Sequence, residues 1–173
     1  RLARKDSKWT WDKLPPLPSP VCASGVCVIK SNVYVLGGAD YDSEHFYTAA
    51  DRSGQNKRLG ARFLSMDMHQ LSAGWKQLPP CPGTPRWVAG MAAVGGRIYV
   101  IGGATGDVPK AGYCTVVDNW VFDPASQKWS RLRDLPVSSG NFTSGAIVYK
   151  DRYILLVGGA QYDKIMNPDG TIR

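Results

Sequence analysis

The sequence contains three copies of one pattern, an apolar stretch that ends in two glycines: Val33-Tyr34-Val35-Leu36-Gly37-Gly38, Ile98-Tyr99-Val100-Ile101-Gly102-Gly103 and Ile154-Leu155-Leu156-Val157-Gly158-Gly159. A tryptophan precedes each copy at a similar distance, at Trp11, Trp75 and Trp129. The resulting period of about 55 to 65 residues is typical of repeat architectures, in which each repeat is one structural unit. The pattern therefore decides the architecture, but it does not by itself assign an activity.

Each repeat can be divided into four short strands, which we name A to D. In the second copy, small residues at 89–94 form strand A, and a tight glycine turn leads to strand B at 97–101. A loop then leads to strand C at 119–122, and a turn at 123–126 leads to strand D with Trp129. In such an antiparallel unit the B–C and D–A connections emerge at the same end.

The turn between strands C and D carries a family resemblance. The segment Val121-Phe122-Asp123-Pro124-Ala125-Ser126-Gln127-Lys128-Trp129 resembles the aromatic-Asp-Pro turn and spaced tryptophan of the kelch motif, which the diglycine completes. Arg86 stands where kelch repeats often place an arginine. The resemblance covers nearly the whole chain and implies a β-propeller, in which four-stranded blades surround a central channel.

Two repeats depart from the motif. The first has Met66-Asp67-Met68 in place of the aromatic-Asp-Pro turn, and the third has Gly140-Asn141 near the position that matches Arg86. In all repeats we expect the small residues of strand A to let the inner strands converge. We expect the diglycines to permit close backbone contacts, and the tryptophans to fill the space between blades.

The predicted fold is therefore an all-β, kelch-type β-propeller segment that spans residues 1–173 and is partial. Residues 1–19 supply the last strand of a preceding blade, 20–79 form a complete blade with a long B–C insertion, and 86–132 form a second complete blade. Residues 142–173 supply the first strands of a further blade. Because propellers usually need four to eight blades, we expect the remainder to come from chain outside this sequence or from a second copy.

Composition and charge exclude several partners. The formal net charge is +7, but the basic residues are spread along the chain, so we expect no nucleic-acid binding. The apolar runs are strand-sized and too short for a membrane span, which needs roughly 20 residues. The four cysteines form no CxxC pair, and we expect buried thiols, with a disulfide or metal framework as the alternative. The chain begins at Arg1 rather than Met, which leaves a leader peptide, and with it a secreted or periplasmic location, open.

Long loops on a rigid scaffold are where binding residues concentrate. The first B–C loop, residues 39–62, is far longer than a hairpin needs and is rich in ionisable and aromatic residues. With the second B–C loop and the D–A loops it would form a polar pocket with aromatic walls, suited to a sugar or a peptide. The candidate ligand-binding residues are Tyr41, Arg86, Trp87, Asp107, Tyr113 and Asn141. For Arg86, structural hydrogen bonds to neighbouring loops are the favoured alternative.

Two classes of function remain open. The sequence favours a non-catalytic binding module for a protein or carbohydrate, with no cofactor and no metal site. The alternative is a sugar epimerase, because residues 78–86 and the long loops are similar to sialic-acid epimerases of the mutarotase type. Such chemistry needs a general acid/base pair, for which Glu44, His45 and Arg86 are the candidates. Galactose oxidase-like copper chemistry is disfavoured, because the chain has only two histidines, His45 and His69.

Overall fold

The computed structural model describes residues 1–41, 46–47, 59–105, 113–140, 142, 145–162, 164–167, 169 and 171–173. These residues are almost entirely strands and turns, with two short 3-10 turns at Leu59–Ala61 and Leu71–Ala73. None of the helices among them is long and apolar enough to cross a membrane. The strands in chain order are β1 (Leu2–Lys5), β2 (Lys8–Trp11), β3 (Gly25–Ile29), β4 (Asn32–Leu36), β5 (Asp40–Tyr41), β6 (Phe46–Tyr47), β7 (Phe63–Asp67), β8 (Lys76–Leu78), β9 (Gly90–Val94), β10 (Arg97–Ile101), β11 (Ala104–Thr105), β12 (Cys114–Val116), β13 (Trp120–Asp123), β14 (Lys128–Arg131), β15 (Ala146–Tyr149), β16 (Tyr153–Leu156) and β17 (Lys164–Met166).

Two antiparallel sheets of four strands form the centre of the chain. Strands β3-β4-β7-β8 make the first, called blade 1, and β9-β10-β13-β14 make the second, called blade 2. Each follows the A to D order along the chain, as in a propeller blade. The hairpin β1–β2 precedes them and the hairpin β15–β16 follows. The predicted fold class is confirmed: two complete blades with a partial blade at each end. The residue boundaries assigned to each blade stay a prediction.

The partial blade before blade 1 differs from the sequence prediction. A single strand was expected in residues 1–19, whereas the structure has two, with Leu2 opposite Trp11 and Lys5 opposite Lys8. The turn between them consists of Asp6 and Ser7, which both have positive φ angles. Tight hairpin turns of this kind normally contain glycine or asparagine. Because Asp-Ser lacks that signal and the first strand is polar, the pattern did not reveal the hairpin.

The glycines of strand A allow adjacent blades to approach closely. A Cβ atom added to Gly25 in blade 1 would lie 3.1 Å from the Cβ of Met91 in blade 2. A Cβ atom added to Gly90 in blade 2 would lie 2.8 Å from Leu156 Cδ2 in the next hairpin. Both separations are tighter than ordinary van der Waals contacts. The absence of a side chain at these positions therefore sets how near the inner strands can pack.

The diglycines join each blade to the next through backbone atoms. The second glycine donates its N–H across the gap, from Gly38 to the Arg86 carbonyl at 3.0 Å and from Gly103 to the Ser139 carbonyl at 3.1 Å. The first glycine lies against the same oxygen. A Cβ atom on Gly37 would overlap the Arg86 carbonyl, and one on Gly102 would overlap the Ser139 carbonyl. The repeated diglycine is therefore the joint between blades.

The space between blades 1 and 2 is filled by aromatic and aliphatic side chains. The rings of Phe63, Phe122 and Trp129 pack together, with centroid separations of 4.9 to 5.2 Å. The indole N–H of Trp129 also donates to the carbonyl of Pro79 in blade 1, at 2.9 Å. The buried members of this core are Tyr34, Leu36, Phe63, Leu78, Cys81, Ala89, Met91, Ile98, Val100 and Phe122. The strand D tryptophan thus both packs and hydrogen-bonds between blades.

The cysteines are all reduced thiols. Burial raises the pKa of Cys27 to about 12 and raises the pKa of Cys81 above its usual value. Because the thiolate is the reactive form, these two side chains behave as small apolar groups at neutral pH.

The joint can be tested with a matched pair of glycine substitutions. Gly102 and Gly95 both have positive φ angles, 54° and 56°, but a Cβ atom on Gly95 would meet nothing within 4 Å. Gly95→Ala should therefore cost only the left-handed backbone strain, about 1–2 kcal/mol. Gly102→Ala adds the overlap with Ser139 and should cost about 2–5 kcal/mol in total. Chemical denaturation measures both, and equal losses would contradict the role given to Gly102.

Candidate functional site

The B–C and D–A loops meet through one contact that is repeated three times. Two backbone hydrogen bonds join each residue after a diglycine to a residue just before strand A. The pairs are Cys22 with Ala39, Trp87 with Ala104, and Gly140 with Ala160. Trp87 and Gly140 are therefore equivalent, so Ser139 rather than Gly140 matches Arg86. The Ser139 carbonyl accepts a hydrogen bond from the Gly103 N–H, just as the Arg86 carbonyl accepts one from the Gly38 N–H.

A small sheet outside the blades organises this loop face. Strands β11 and β12 form a hairpin from the second B–C loop, and β17 pairs with β12 in parallel. The segment with β17 folds back on itself, since Ile165 and Arg173 exchange two backbone hydrogen bonds. No local pattern predicts this pairing, because the parallel neighbours are separated by about 50 residues of chain. The sheet brings two loops of adjacent repeats side by side.

Three aromatic side chains line this face. The Trp87 and Tyr113 rings have centroids 5.7 Å apart, and the Tyr113 and Tyr162 rings have centroids 5.9 Å apart. Trp87 is 8% exposed, whereas Tyr113 is 40% exposed. Burial raises the pKa of the Tyr162 hydroxyl, which is thus neutral at physiological pH. We call these three residues the aromatic wall; Trp87 and Tyr113 were predicted as site residues and Tyr162 was not.

Hydroxyl and amide groups belong to the same chain segments as the aromatic wall. The hydroxyl of Thr115 donates to Ser138 Oγ at 3.1 Å, and the side-chain amide of Gln161 donates to the same oxygen at 3.1 Å. Thr115 and Ser138 are buried, whereas Gln161 is exposed. Gln161 precedes Tyr162 in the chain, and Thr115 lies two residues after Tyr113. The loop face therefore combines apolar rings with neutral polar groups.

The backbone next to the aromatic wall is strained. Val88, directly after Trp87, has a φ of 47°, and the equivalent Ala23 has a φ of 57°. A β-branched residue in this left-handed region is uncommon and costs energy. The strain is held by hydrogen bonds, because the Val88 N–H donates to the Ala23 carbonyl at 2.8 Å. Such strain clusters at binding and active sites.

Arg86 lies inside blade 2 rather than on its surface, with an exposed fraction of 0%. Its guanidinium donates to the carbonyls of Thr84, Gly102 and Asp118, at 2.8, 3.0 and 2.7 Å. It also forms an ion pair with Asp118 Oδ2 at 2.5 Å, and that oxygen accepts a further bond from the Trp120 indole at 2.5 Å. These contacts are those of a structural arginine that ties the end of strand B to the start of strand C.

Asp118 was not predicted, although it is the carboxylate that Arg86 requires. Its neighbour Asn119 accepts from the Gly102 N–H at 3.0 Å and donates to the Arg133 carbonyl at 2.8 Å. A polar Asp-Asn pair directly before an aromatic strand was the available signal. Two buried polar residues at a strand end predict hydrogen bonding to the adjacent loop backbone.

The other predicted site residues fall outside the described side chains. Glu44, His45, Asp107 and Asn141 lie outside the described residues, and for Tyr41 only the backbone is described, in β5. Across the described part of the chain, no group of three or more His, Cys, Asp or Glu side chains is arranged to hold a metal ion.

The Arg86–Asp118 pair should dominate local stability. Arg86→Ala would leave the Asp118 carboxylate buried without its cation and should lower the free energy of unfolding by about 3–5 kcal/mol. The control is Arg131→Ala, which breaks an exposed ion pair with Asp134 and should change stability little. Thermal or urea denaturation compares the two. A loss at Arg86 no larger than at Arg131 would show that the pair is not structural.

Comparison with solved structures identifies the fold. The structure of YjhT matches with a TM-score of 0.59 at 21% identity, over 80% of this chain and 34% of that one. Among curated relatives, Kelch-like protein 41 of Rattus norvegicus is 27% identical over 141 residues, which is 82% of this chain and 20% of the relative. An N-acetylneuraminate epimerase of Yersinia enterocolitica is 28% identical over 123 residues, 70% of this chain and 29% of the relative. The chain thus spans less than a third of the length of these two relatives.

The sequence also matches a family model, that of N-acetylneuraminate epimerase (NANM), over residues 54–167. The matched region includes strands C and D of blade 1, the whole of blade 2 and the aromatic wall. Together with the kelch repeats and the propeller blades, this match assigns the chain to a family. The chain belongs to the N-acetylneuraminate epimerase family of kelch-repeat β-propellers.

Proposed function

We propose that this chain forms part of a propeller that binds an acidic sugar of the sialic-acid class through the loop face. The observation that carries the proposal is the aromatic wall, in which a 40% exposed Tyr113 ring is backed by Trp87 and Tyr162. Small-molecule sites are typically lined by aromatic side chains with a few fixed polar groups. The wall and the hydroxyl and amide groups of its segments match that description.

The chemistry of the wall suits a sugar better than a flat apolar ligand. A pyranose has faces of C–H groups and a rim of hydroxyls, and tyrosine offers an apolar ring with a polar tip. The neutral Tyr162 phenol can both donate and accept a hydrogen bond. The net charge of +7 further favours approach of an anionic sugar over a cationic one.

Binding can be tested by titrating the purified chain with N-acetylneuraminate. Tyr113→Ala should weaken binding about tenfold, because loss of one aromatic contact removes up to about 1.5 kcal/mol. Tyr149→Ala is the matched control, since Tyr149 is a 49% exposed tyrosine on strand β15. Isothermal titration or NMR line broadening measures the affinities. Equal weakening by both variants, or no binding by the wild type, would argue against the loop face. In the latter case a protein ligand becomes the stronger candidate.

A second candidate function is epimerisation of the bound sugar. Its support is the family model over residues 54–167 and the similarity to the Yersinia enterocolitica epimerase. Interconverting the anomers of a sialic acid requires one group to take the proton of the anomeric hydroxyl and another to protonate the ring oxygen. Arg86 is enclosed by its hydrogen bonds, so the first B–C loop, with Glu44 and His45, is the proposed source of these groups.

Epimerisation is measured by NMR as the rate at which the two anomers of N-acetylneuraminate exchange. We expect the wild-type chain to accelerate exchange and Glu44→Gln to reduce the acceleration about 100-fold or more, as loss of a general acid or base does. Binding should survive in that variant. If the wild type exchanges the anomers no faster than buffer while still binding the sugar, the chain is a binding module only.

A further inference from the structure

A cavity lies beside blade 1 and shares no residue with the aromatic wall. Its volume is about 490 Å³, within the range of small-molecule sites. The cavity, here called the blade 1 cleft, is lined by Pro18, Ser19, Arg62, Leu64, Trp75, Gln77 and Pro80.

Comparison of the two complete blades shows which residues differ at this cleft. Leu64 pairs with Val35, and Trp120 pairs with Val100, each opposite the residue two places before a diglycine. Leu64 and Trp120 are therefore equivalent. By the same count, Arg62 in blade 1 stands at the position of Asp118 in blade 2.

The D–A side of the cleft can be matched in the same way. Cys22 and Trp87 are equivalent, because each pairs with the residue that follows a diglycine. Val21 and Arg86, which directly precede them, are therefore equivalent as well. In blade 2 the space is filled by the Arg86 guanidinium, the Asp118 carboxylate and the Trp120 indole, which bind one another. In blade 1 the smaller Val21 stands in place of Arg86, and the smaller Leu64 stands in place of Trp120. Of these two smaller residues, Leu64 lines the cleft.

The charge at this position is also reversed. Blade 2 has a carboxylate there, held by a guanidinium and an indole N–H, whereas blade 1 has the guanidinium of Arg62. Among the described residues its one polar contact is with Ser19, whose Oγ accepts from Nη1. Arg62 is half-buried, and burial lowers its pKa below the usual value, yet arginine stays charged in proteins. The described part of the chain thus supplies Arg62 with no carboxylate.

The cleft wall around Arg62 is held in place. The indole N–H of Trp75 donates to the Pro15 carbonyl at 3.0 Å, which fixes the ring against the linker that follows β2. Gln77 presents an exposed amide, and Leu64 provides a buried apolar floor. A guanidinium has five donors in a planar fork that matches a carboxylate, and Arg62 uses one of them on Ser19.

We propose that the blade 1 cleft binds a small organic carboxylate, with Arg62 as the group that recognises the anion and Trp75 as the wall for the rest of the molecule. This site goes beyond the loop-face function, because none of the aromatic-wall residues takes part in it. The carboxylate of the ligand would complete in blade 1 the acid–arginine pairing that blade 2 makes with its own side chains.

The test uses two sugars that differ in one group. D-glucuronate carries a carboxylate where D-glucose carries a hydroxymethyl group, so the proposal predicts binding of the first and much weaker binding of the second. Isothermal titration gives the affinities, and the Trp75 indole signal in a ¹H–¹⁵N spectrum, assigned with Trp75→Phe, reports the location. The shift of that signal on adding D-glucuronate distinguishes the cleft from the aromatic wall.

Four variants test whether binding depends on Arg62 and on the space beside it. Arg62→Ala should weaken D-glucuronate binding about 10- to 100-fold, as loss of a charged hydrogen bond does, and Arg62→Lys should restore only part of it. Arg133→Ala, which removes the same charge from an exposed position, should leave binding unchanged. Leu64→Trp, which installs the residue of blade 2, should fill the cleft and abolish binding in a folded chain.

Several outcomes would overturn the proposal. One is equal affinity for D-glucuronate and D-glucose, and another is no detectable D-glucuronate binding at millimolar concentration. A third is equal weakening by Arg62→Ala and Arg133→Ala, which would indicate attraction by net charge alone. Circular dichroism of each variant establishes that the fold is retained, and if Arg62→Ala does not fold, Arg62→Lys and Leu64→Trp carry the test.

Discussion

The contact on which this structure depends is the one between a glycine of one blade and a backbone carbonyl of the next. Gly38 and Gly103 donate to the carbonyls of Arg86 and Ser139, and the preceding glycines lie so close to the same oxygens that a methyl group would overlap them. Apolar side chains and a hydrogen bond from the Trp129 indole to the Pro79 carbonyl also lie between blades 1 and 2. Hydrophobic packing is non-directional, so it can hold blades together without fixing their register. The directional hydrogen bonds between backbone atoms determine the register of one blade against the next.

The acceptor in this contact is a backbone carbonyl, so the contact does not depend on the side chain of the residue that carries it. The three equivalent positions carry Val21, Arg86 and Ser139. In blade 2 the arginine turns inward and bonds to Asp118 and Gly102, whereas blade 1 has the shorter, apolar Val21 at this position. The repeats can therefore keep one geometry while each blade acquires its own polar chemistry. This separation of scaffold and site is common in repeat proteins.

The sequence was sufficient for the blades, because their signals are local. The apolar runs before the diglycines, and the turn at Asp123-Pro124, need no knowledge of distant residues. The features that were missed depend on contacts between distant or unusual positions. The β1–β2 hairpin turns at Asp6 and Ser7, which are not typical residues for that geometry.

The candidate site was less predictable than the blades. Trp87 and Tyr113 could be chosen because aromatic residues stand out in loops, but Tyr162 joins them only through the fold. The role of Arg86 could not be decided without Asp118, which lies 32 residues further along the chain. The cleft at Arg62 could not be predicted from the sequence either, because it is recognised only when equivalent positions in the two blades are compared in space.

The parallel pairing of β12 with β17 has a consequence for how the loop face moves. Strand β12 also pairs with β11, so its backbone hydrogen bonds connect the B–C loop of blade 2 to the segment that follows strand β16. Neighbouring segments that share hydrogen bonds open together in local unfolding, as a single cooperative unit. Tyr113 and Tyr162 lie on two sides of this connection. We therefore expect the two sides of the loop face to open together across two repeats, rather than as separate loops.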